Sequence, residues 1–274
     1  FTATPKVSWF VHAGTNVSPV KVILNNSMFE AGRNQAPEEH RYTLRPGYNF
    51  GAGGEFSYND NLKVRMELNF LQAAYGLEAI NQSERDRRDL IERQTSINLP
   101  VYLCYSDNVG TYRPYGYAGI SISHLVVAKA SIVNEKVERI ENPGEDSNEE
   151  TESREVPSPD LDYLKRRKSW NQSLIVGGGI KYKLGLDFLF VDLRYSAGLK
   201  NIVDPDHIYA DYSRDKTSAQ FVDSGLPMAY GHVDDYFRLD NLSITFGFLR
   251  PLYKPRELKR VRTRSVLRKI NRGK

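Results

Sequence analysis

The stretch LDFLFVDLRYSAGLKN, residues Leu186–Asn201, places a carboxylate and a guanidinium inside an otherwise apolar run. Alternate side chains of an extended chain point to opposite sides, so one side carries leucine, valine and tyrosine, and the other carries Asp192 and Arg194 among phenylalanine and serine. A helix would need a repeat of about 3.6 residues, and the aromatic and β-branched residues favour a strand. The stretch therefore predicts a strand with Asp192 and Arg194 on one face.

Seven further segments alternate in the same way, which predicts eight strands in all. They are residues 7–17, 48–58, 62–70, 96–106, 113–125, 173–183 and 241–249. Three connections are short and carry turn residues, namely 59–61, 107–112 and 184–185, and the other four are long, namely 18–47, 76–94, 126–170 and 200–238. Short and long connections alternate, so an up-and-down sheet has all its short turns at one end.

The two-residue repeat alone leaves two closed barrels open. In a soluble ligand-binding barrel the apolar face lines the interior, whereas in a membrane barrel the apolar face meets lipid and the polar face lines the interior. Four long connections are uncommon in a compact soluble domain and typical of an outer membrane barrel. Aromatic residues near the strand ends and the small and charged residues of the polar face also favour the membrane barrel.

Composition agrees with an all-β chain and excludes one membrane class. The 274 residues include 17 Tyr and 12 Phe but 3 Met and 1 Cys, and mean hydropathy is −0.54. No apolar run approaches the roughly 18 residues of a membrane helix. The net charge of +4 is unevenly placed, because residues 250–274 hold 11 basic residues and one acid.

Three segments resemble the PorT-type family of small outer-membrane β-barrels from Bacteroidetes. They are RPYGYAGISISHL (113–125), SLIVGGGIKYKLGLDFLFVDLRYSAGLKNI (173–202) and LDNLSITFGF (239–248). The resemblance spans Ser8 to Phe248 and omits the long loops and the tail. It implies an all-β fold, an eight-stranded antiparallel up-and-down transmembrane β-barrel similar to OmpA. Some members of that family belong to the type IX secretion and gliding machinery, and many others have no assigned role.

In a membrane barrel the polar faces of neighbouring strands meet in the lumen. An eight-stranded barrel is just wide enough for its side chains to fill, and charges there must be paired. The sequence predicts a lumen charge network with the pairs Arg65/Glu67 and Asp192/Arg194. Its members are Glu55, Lys63, Arg65, Glu67, Asp192 and Arg194. The alternatives are an ion path or a hydrolytic carboxylate pair, and the paired signs favour a plug.

No catalytic, metal or cofactor motif is predicted. The five histidines lack metal-ligand spacing, and the glycines at 51–54 and 177–179 do not open a helix, so they indicate close strand packing rather than nucleotide binding. Loop 134–162 holds 11 acids and three bases. It is predicted to be a mobile acidic arm or a hairpin extension that frays at its tip.

The basic tail, residues 250–274, is the second candidate site and follows a barrel predicted to occupy residues 1–249. A helix from about Arg256 to Asn271 would gather apolar residues on one side and bases elsewhere. We expect it to dock onto an acidic periplasmic partner or anionic lipid, the alternative being a solvated extension. The predicted docking residues are Leu258, Arg260, Val261, Arg264, Leu267, Arg268 and Ile270.

Together these features predict a non-enzymatic subunit of a larger envelope complex, in type IX secretion or outer-membrane protein assembly. The expected location is the bacterial outer membrane, with long extracellular loops and with both termini and the tail in the periplasm. The expected partners are outer-membrane lipids and proteins of the outer membrane and periplasm, with no nucleic acid and no cofactor. A narrow channel or ligand-binding barrel is the alternative, and a small membrane enzyme is a third hypothesis.

Overall fold

A computed structural model describes residues 7–24, 39–80, 87–107, 109–139, 151–157, 161–205 and 234–252. Twelve strands and a 3₁₀ turn at Leu164–Arg166 are found in these ranges. The strands are β1 (Val7–Val17), β2 (Val20–Leu24), β3 (Glu39–Ser57), β4 (Leu62–Ile80), β5 (Arg87–Ser106), β6 (Tyr112–Arg139), β7 (Thr151–Pro157), β8 (Leu161–Asp162), β9 (Trp170–Leu184), β10 (Asp187–Gly198), β11 (Tyr236–Leu239) and β12 (Asn241–Leu252).

Eight of these strands form a closed antiparallel barrel, as the alternation of side chains predicts. The order around the barrel is β1, β3, β4, β5, β6, β9, β10 and β12, and β12 pairs back with β1 along the whole of β1. Each strand of the ring lies beside two others, so the backbone N–H and C=O groups are paired without a free edge. The predicted fold class is therefore confirmed.

The short turns lie together at one end of the barrel, here called the short-turn end. Gly185 between β9 and β10 has φ of 63°, and Gly110 between β5 and β6 has φ of 84°. These left-handed conformations favour glycine because a Cβ would be strained. Between β3 and β4, the side-chain oxygen of Asn59 accepts hydrogen bonds from the N–H groups of Asn61 at 3.0 Å and Leu62 at 2.6 Å.

At the opposite, long-loop end, four strands are longer than predicted. β3 begins at Glu39, inside the predicted loop 18–47. β4, β5 and β6 continue through much of the predicted loops 76–94 and 126–170, and β7 pairs with β6 from Val133 to Arg139. Of the two expectations for 134–162, the hairpin extension agrees with this pairing of the flanks, and residues 140–150 at its tip lie outside the described residues. The last strand also ends at Leu252, three residues beyond the predicted barrel boundary. In these segments the apolar residues change from the outer to the inner face, as Tyr75, Leu77 and Leu90 do, so the alternation of the band is interrupted.

Segments that are not part of the ring cover the long-loop end. β2 pairs with β11, and β8 pairs with β6. Val203 and Phe237 pack with Tyr75 of β4, and Leu161 and Tyr163 pack with Leu77, Leu90 and Leu125. We call the segments 161–167, 199–205 and 234–239 the cap. No helix in the described ranges is long and apolar enough to cross a membrane.

The apolar faces of the ring strands point outwards and the polar faces point inwards. Met66, Val191 and Leu193 are 51%, 46% and 51% exposed, whereas Asp192 and Arg194 are buried. Aromatic pairs stand at the two rims of this exposed apolar band. Trp9 with Phe248 and Tyr112 with Tyr182 lie at the short-turn end, and Trp170 with His124 lies at the long-loop end. An apolar outer band between aromatic rims is the surface of a membrane barrel.

The facing of the strands gives a direct test. Arg at Met66 or Val191, near the middle of the apolar band, should lower the free energy of unfolding in lipid vesicles by about 2–4 kcal/mol. The matched control is Ile91→Arg, on the outer face of β5 beyond the band, where the loss should be about 0–1 kcal/mol. Equal losses at all three positions would contradict the membrane-facing band.

Candidate functional site

The candidate functional site is the interior of the barrel, and glycines make room for its side chains. Gly53 of β3 and Gly179 of β9 point inwards, where an added Cβ would lie 2.7 Å from Phe10 Cζ and 2.8 Å from the Tyr115 hydroxyl. Contacts this short require a shift of the neighbouring ring. The two glycine-rich segments therefore accommodate large lumen side chains, as the close-packing interpretation predicts.

The first ionic cluster surrounds Glu55, which is 1% exposed. Its carboxylate lies 2.9 Å from Lys63 Nζ, 2.6 Å from Arg65 Nε and 2.9 Å from Lys181 Nζ. The guanidinium of Arg65 also lies over the Tyr115 ring, 4.9 Å from its centroid. One carboxylate thus binds three cations that reach it from β4 and β9, and an aromatic ring supports the most buried of them.

The second ionic cluster joins Glu67 to Arg194 across the lumen. Both guanidinium nitrogens of Arg194 bind the Glu67 carboxylate, which also accepts a hydrogen bond from the Tyr102 hydroxyl at 2.8 Å. His12 Nε2 lies 3.6 Å from the same carboxylate. Two hydrogen bonds from one planar guanidinium fix the distance and the orientation of the pair.

Asp192 belongs to this second cluster through two tyrosines. The hydroxyls of Tyr115 and Tyr117 donate to its carboxylate at 3.0 and 2.6 Å, and Arg194 Nη2 lies 3.7 Å away. Tyr117 also accepts a hydrogen bond from Arg194 Nε at 3.1 Å. The strand face of the opening stretch is therefore the inner wall of a closed barrel.

The structure brings all six predicted lumen residues into the interior and contains one of the two predicted pairs, Asp192/Arg194, with 3.7 Å between Oδ2 and Nη2. Arg65 binds Glu55 rather than Glu67, and Glu67 binds Arg194, so the predicted Arg65/Glu67 pair is wrong. Neighbours on one strand face are about 7 Å apart along the chain, whereas residues opposite each other on paired strands have Cβ atoms about 5 Å apart. The closest ion pairs therefore form between paired strands or across the lumen, and not along one strand.

Sequence reasoning did not identify several other members of the lumen network. They are His12, Tyr102, Tyr115, Tyr117 and Lys181. Each lies on the same face of its strand as the glycines and serines, so the alternation already carried the signal. Tyrosine and lysine in such positions are amphipathic, and only the register between strands shows which carboxylate they reach.

Beyond Arg194, towards the long-loop end, the lining of the interior becomes mainly neutral, with Lys168 and Asp240 as charged members besides the two arginines. A chamber of about 100 Å³ is lined mainly by amides and hydroxyls, including those of Asn49, Asn69, Asn98, Ser121, Asn171 and Ser243. The amide oxygens of Asn49 and Asn69 are buried and have no hydrogen-bond partner among the described residues. The chamber is bounded by Arg194 at one end and Arg167 at the other.

Arg167 ties the cap to the barrel in a third ionic cluster. Its guanidinium binds Glu92 of β5 at 2.5 and 2.9 Å and Asp234 of the cap at 2.9 Å. The Tyr75 hydroxyl donates to Glu92. Burial and the neighbouring Glu92 carboxylate raise the pKa of Tyr75 well above its ordinary value, so it keeps its proton and remains a donor.

The sequence did not predict this third cluster. Glu92, Arg167 and Asp234 each fall in a predicted long loop, where no periodic pattern separates a buried charge from a solvated one. The predicted docking residues of the tail, from Leu258 to Ile270, lie outside the described residues.

The chemistry that this interior can perform follows from its pairing. Glu55, Glu67 and Asp192 each hold cations or tyrosine hydroxyls, and no two of them face each other across a space for a substrate. Within the described ranges, no group of three or more His, Cys, Asp and Glu side chains is placed to hold a metal ion. The arrangement resembles a salt-bridged plug.

A closed antiparallel barrel with an apolar outer band and an ionic interior defines a membrane β-barrel. The profile of the outer membrane protein β-barrel domain family matches residues 5–204, and the chain belongs to this family. No curated protein matches the chain in sequence.

Solved outer membrane barrels resemble the chain at low sequence identity. OprG from Pseudomonas aeruginosa is 10% identical with a TM-score of 0.46, and the match covers 92% of this chain and 99% of that protein. Neisserial surface protein A is 12% identical with a TM-score of 0.34, covering 89% and 97%. Ail of Yersinia pestis, solved with the heparin analogue sucrose octasulfate, is 12% identical with a TM-score of 0.33, covering 89% and 99%. The strand pairing of this chain itself closes the barrel.

Breaking the Glu67–Arg194 pair should destabilise the barrel strongly. Arg194→Met leaves the Glu67 carboxylate buried without its cation, so we expect a loss of about 3–5 kcal/mol in the free energy of unfolding. Adding Glu67→Gln to that variant should recover much of the loss, because the remaining amide is uncharged. Denaturant titration in lipid vesicles measures both.

The matched control removes an exposed ion pair. Arg250 is 59% exposed in its side chain and lies 3.6 Å from Asp187, so Arg250→Met should cost about 0–1 kcal/mol. A cost for Arg194→Met no larger than that of the control would show that the lumen pair does not hold the interior together.

Proposed function

We propose that this protein is a non-enzymatic outer-membrane barrel with a plugged lumen that acts as a structural and interaction subunit of a larger envelope complex. The observation that carries the proposal is the stacked pair of ionic clusters around Glu55 and Glu67, in which cross-lumen contacts replace a pore. A barrel filled in this way offers its outer surface, its ends and its tail rather than a path for solutes.

The proposed orientation places the short turns and both termini in the periplasm and the long-loop end outside the cell. The difference in length supports it, because outer membrane barrels have short periplasmic turns and longer extracellular loops. In this orientation β4, β5, β6 and β7 form a sheet that projects beyond the apolar band on one side of the barrel, and the tail after Leu252 enters the periplasm.

These two features are the proposed contact surfaces for protein partners. Where its side chains are described, the projecting sheet carries Gln72, Arg93 and Lys129 on its outer face. The tail combines basic residues with Leu258, Val261, Leu267 and Ile270. The machinery of type IX secretion or of outer-membrane protein assembly is the proposed setting, supported only by the likeness of the strand sequences to PorT-type barrels.

The plug predicts an electrically silent barrel. Purified protein in a planar bilayer should give no stepwise current, because guanidinium, carboxylate and aromatic groups fill the cross-section. A variant with Glu55, Arg65, Glu67 and Arg194 all changed to Ala should conduct, provided that its migration on unheated gels shows a folded barrel. Steady single-channel steps from the unaltered protein would contradict the plug.

Deletion of the basic tail tests whether it binds protein partners. Deleting residues 254–274 removes no described strand, so the barrel should still insert and keep its heat-modifiable migration. If the tail docks, proteins cross-linked to the full chain in outer membranes should be lost with the deletion. Changing Leu258, Val261, Leu267 and Ile270 to Ser should lose them too, whereas high salt alone should not, because salt screens charge and not apolar burial. Retention of every partner by the deletion would contradict docking.

The neutral chamber favours a second candidate function, a ligand-binding barrel. Asn49 and Asn69 place unpartnered amide oxygens at a chamber with neutral hydroxyl and amide walls, which suits a small uncharged polar solute. Glycerol is a suitable probe. Glycerol that broadens the NMR signals of the Asn49 and Asn69 side-chain amides, and does so less after Asn69→Leu, would favour this candidate over a purely structural role.

A further inference from the structure

A row of basic side chains crosses the outer face of the barrel just beyond the apolar band. Arg45 of β3, Ala74 of β4, Arg93 of β5 and Lys129 of β6 stand opposite one another in the strand register. All three basic side chains are exposed, whereas Ala74 between the two arginines is 4% exposed. The row therefore carries basic side chains on three of four adjacent strands, and Ala74 on the fourth strand is covered by its neighbours.

Arg45 lies over the neighbouring strand. A Cβ added to Gly76, the next outward residue of β4, would be 3.4 Å from Arg45 Nε. The guanidinium thus rests on the outer surface of β4 rather than extending away from the sheet.

Between Arg93 and Lys129 the surface forms a pocket of about 130 Å³. Its polar lining is provided by Gln72, Arg93, Thr95, Lys129 and Ser131. Two cations with hydroxyl and amide donors around them form the donor set that binds an oxyanion. Val127 completes the wall on the side of the apolar band.

The height of the pocket relates it to the membrane. The register row containing Phe50, Phe70, Ile97 and His124 is the last one dominated by apolar and aromatic side chains, and Trp170 stacks on His124 at 4.6 Å. Arg93 is four residues beyond Ile97 along β5, which is about 10 Å in height for a tilted strand. Lipid head groups extend about 5–8 Å beyond the hydrocarbon core, so the long side chains of Arg93 and Lys129 reach them from just above, beside a band that holds the acyl chains.

The cations of the row are available to a ligand. Within the described ranges, no ion pair joins Arg45, Arg93 or Lys129 to an acid. Asp162 stands opposite Lys129 in the register, and its carboxylate accepts a hydrogen bond from the N–H of Leu164 at 2.9 Å.

We propose that Arg45, Arg93 and Lys129 form a binding site for the phosphate of a phosphorylated membrane lipid, in the leaflet at the long-loop end. The phosphate sits in the pocket between Arg93 and Lys129, and the acyl chains lie along the outer face at Phe70 and Ile97. A phosphate that carries acyl chains meets the basic row and the apolar band at once, which neither a free anion nor an acidic protein does. The proposal depends on the membrane barrel and is independent of the plug and of the protein partners.

The test uses the full chain in micelles of a neutral detergent and native mass spectrometry. Phosphatidylglycerol is the probe, and diacylglycerol with the same acyl chains is the ligand without phosphate. The variant is Arg93→Gln/Lys129→Gln. The matched control is Lys168→Gln/Lys200→Gln, which removes the same charge from exposed lysines at the same end of the barrel.

We expect the pocket variant to bind phosphatidylglycerol about tenfold to thirtyfold more weakly than the unaltered chain, as the loss of two basic contacts near a membrane surface implies. The control variant should bind within about twofold of the unaltered chain. Diacylglycerol should bind all forms equally weakly. Because the changed side chains are exposed, heat-modifiable migration should be retained, and Lys129→Gln alone should show a smaller loss in the same direction.

Three outcomes would overturn the proposal. Equal binding of phosphatidylglycerol by the pocket variant and the unaltered chain would exclude the site. Equal losses in both double variants would show that total charge, and not the row, attracts the lipid. Displacement of the lipid by excess inorganic phosphate would reveal a site for small free anions. None of these results bears on the electrical silence of the barrel, so this proposal and the plug fail separately.

Discussion

The backbone hydrogen bonds of the ring strands are the constraint on which the rest of this structure depends. An apolar phase offers no water to an unpaired N–H or C=O, so a sheet can cross it only when its last strand returns to its first. Here β12 pairs with β1 over eleven register positions, from Val7 to Val17. Closure at eight strands then sets the diameter, and that diameter leaves an interior only as wide as side chains that meet across it.

The narrow interior decides how charge is handled. A carboxylate such as Glu67 has no bulk water beside it, so it needs a cation and further donors, which Arg194 and Tyr102 provide from β10 and β5. Arg194 in turn reaches across the lumen, a span that two strands on opposite walls can bridge only because the barrel is small. The glycines at 53 and 179 belong to the same solution, since the rings of Phe10 and Tyr115 occupy the space that their side chains would fill. The paired charges, the aromatic rings that fill the lumen and the inward-facing glycines all follow from the small diameter of the eight-stranded barrel.

The barrel could be predicted from the sequence because its signal is local. Each strand of the apolar band alternates on its own, as Leu189, Val191 and Leu193 do against Phe190 and Asp192. The short turns can be recognised from their turn-forming residues. Partner choice is not local. Whether Arg65 binds Glu67 or Glu55 depends on the register of β3 against β4. Lys181 of β9 reaches Glu55 of β3 across the lumen, which requires the whole ring of strands to be closed. The length of the strands beyond the membrane was also missed, because the apolar residues there change from the outer to the inner face under the cap, which interrupts the alternation of the band.

The part of the barrel inside the membrane band and the part beyond it are under different constraints. Inside the membrane band, outer side chains must be apolar because they meet lipid, and inner charged side chains must be paired. Few positions there can change between apolar and charged residues. Beyond the band, the cap covers the inner face and water solvates the outer face, and a basic row such as Arg45, Arg93 and Lys129 is not required by the barrel fold. The cap shows the contrast, because Arg167 there is paired with Glu92 and Asp234 as strictly as any lumen cation, having been buried by Val203 and Phe237. The basic residues of the row, in contrast, are exposed and form no ion pair with an acid among the described residues. They lie next to the lipid head groups and have no structural role in closing the barrel. Their charge is therefore available to a ligand from the membrane.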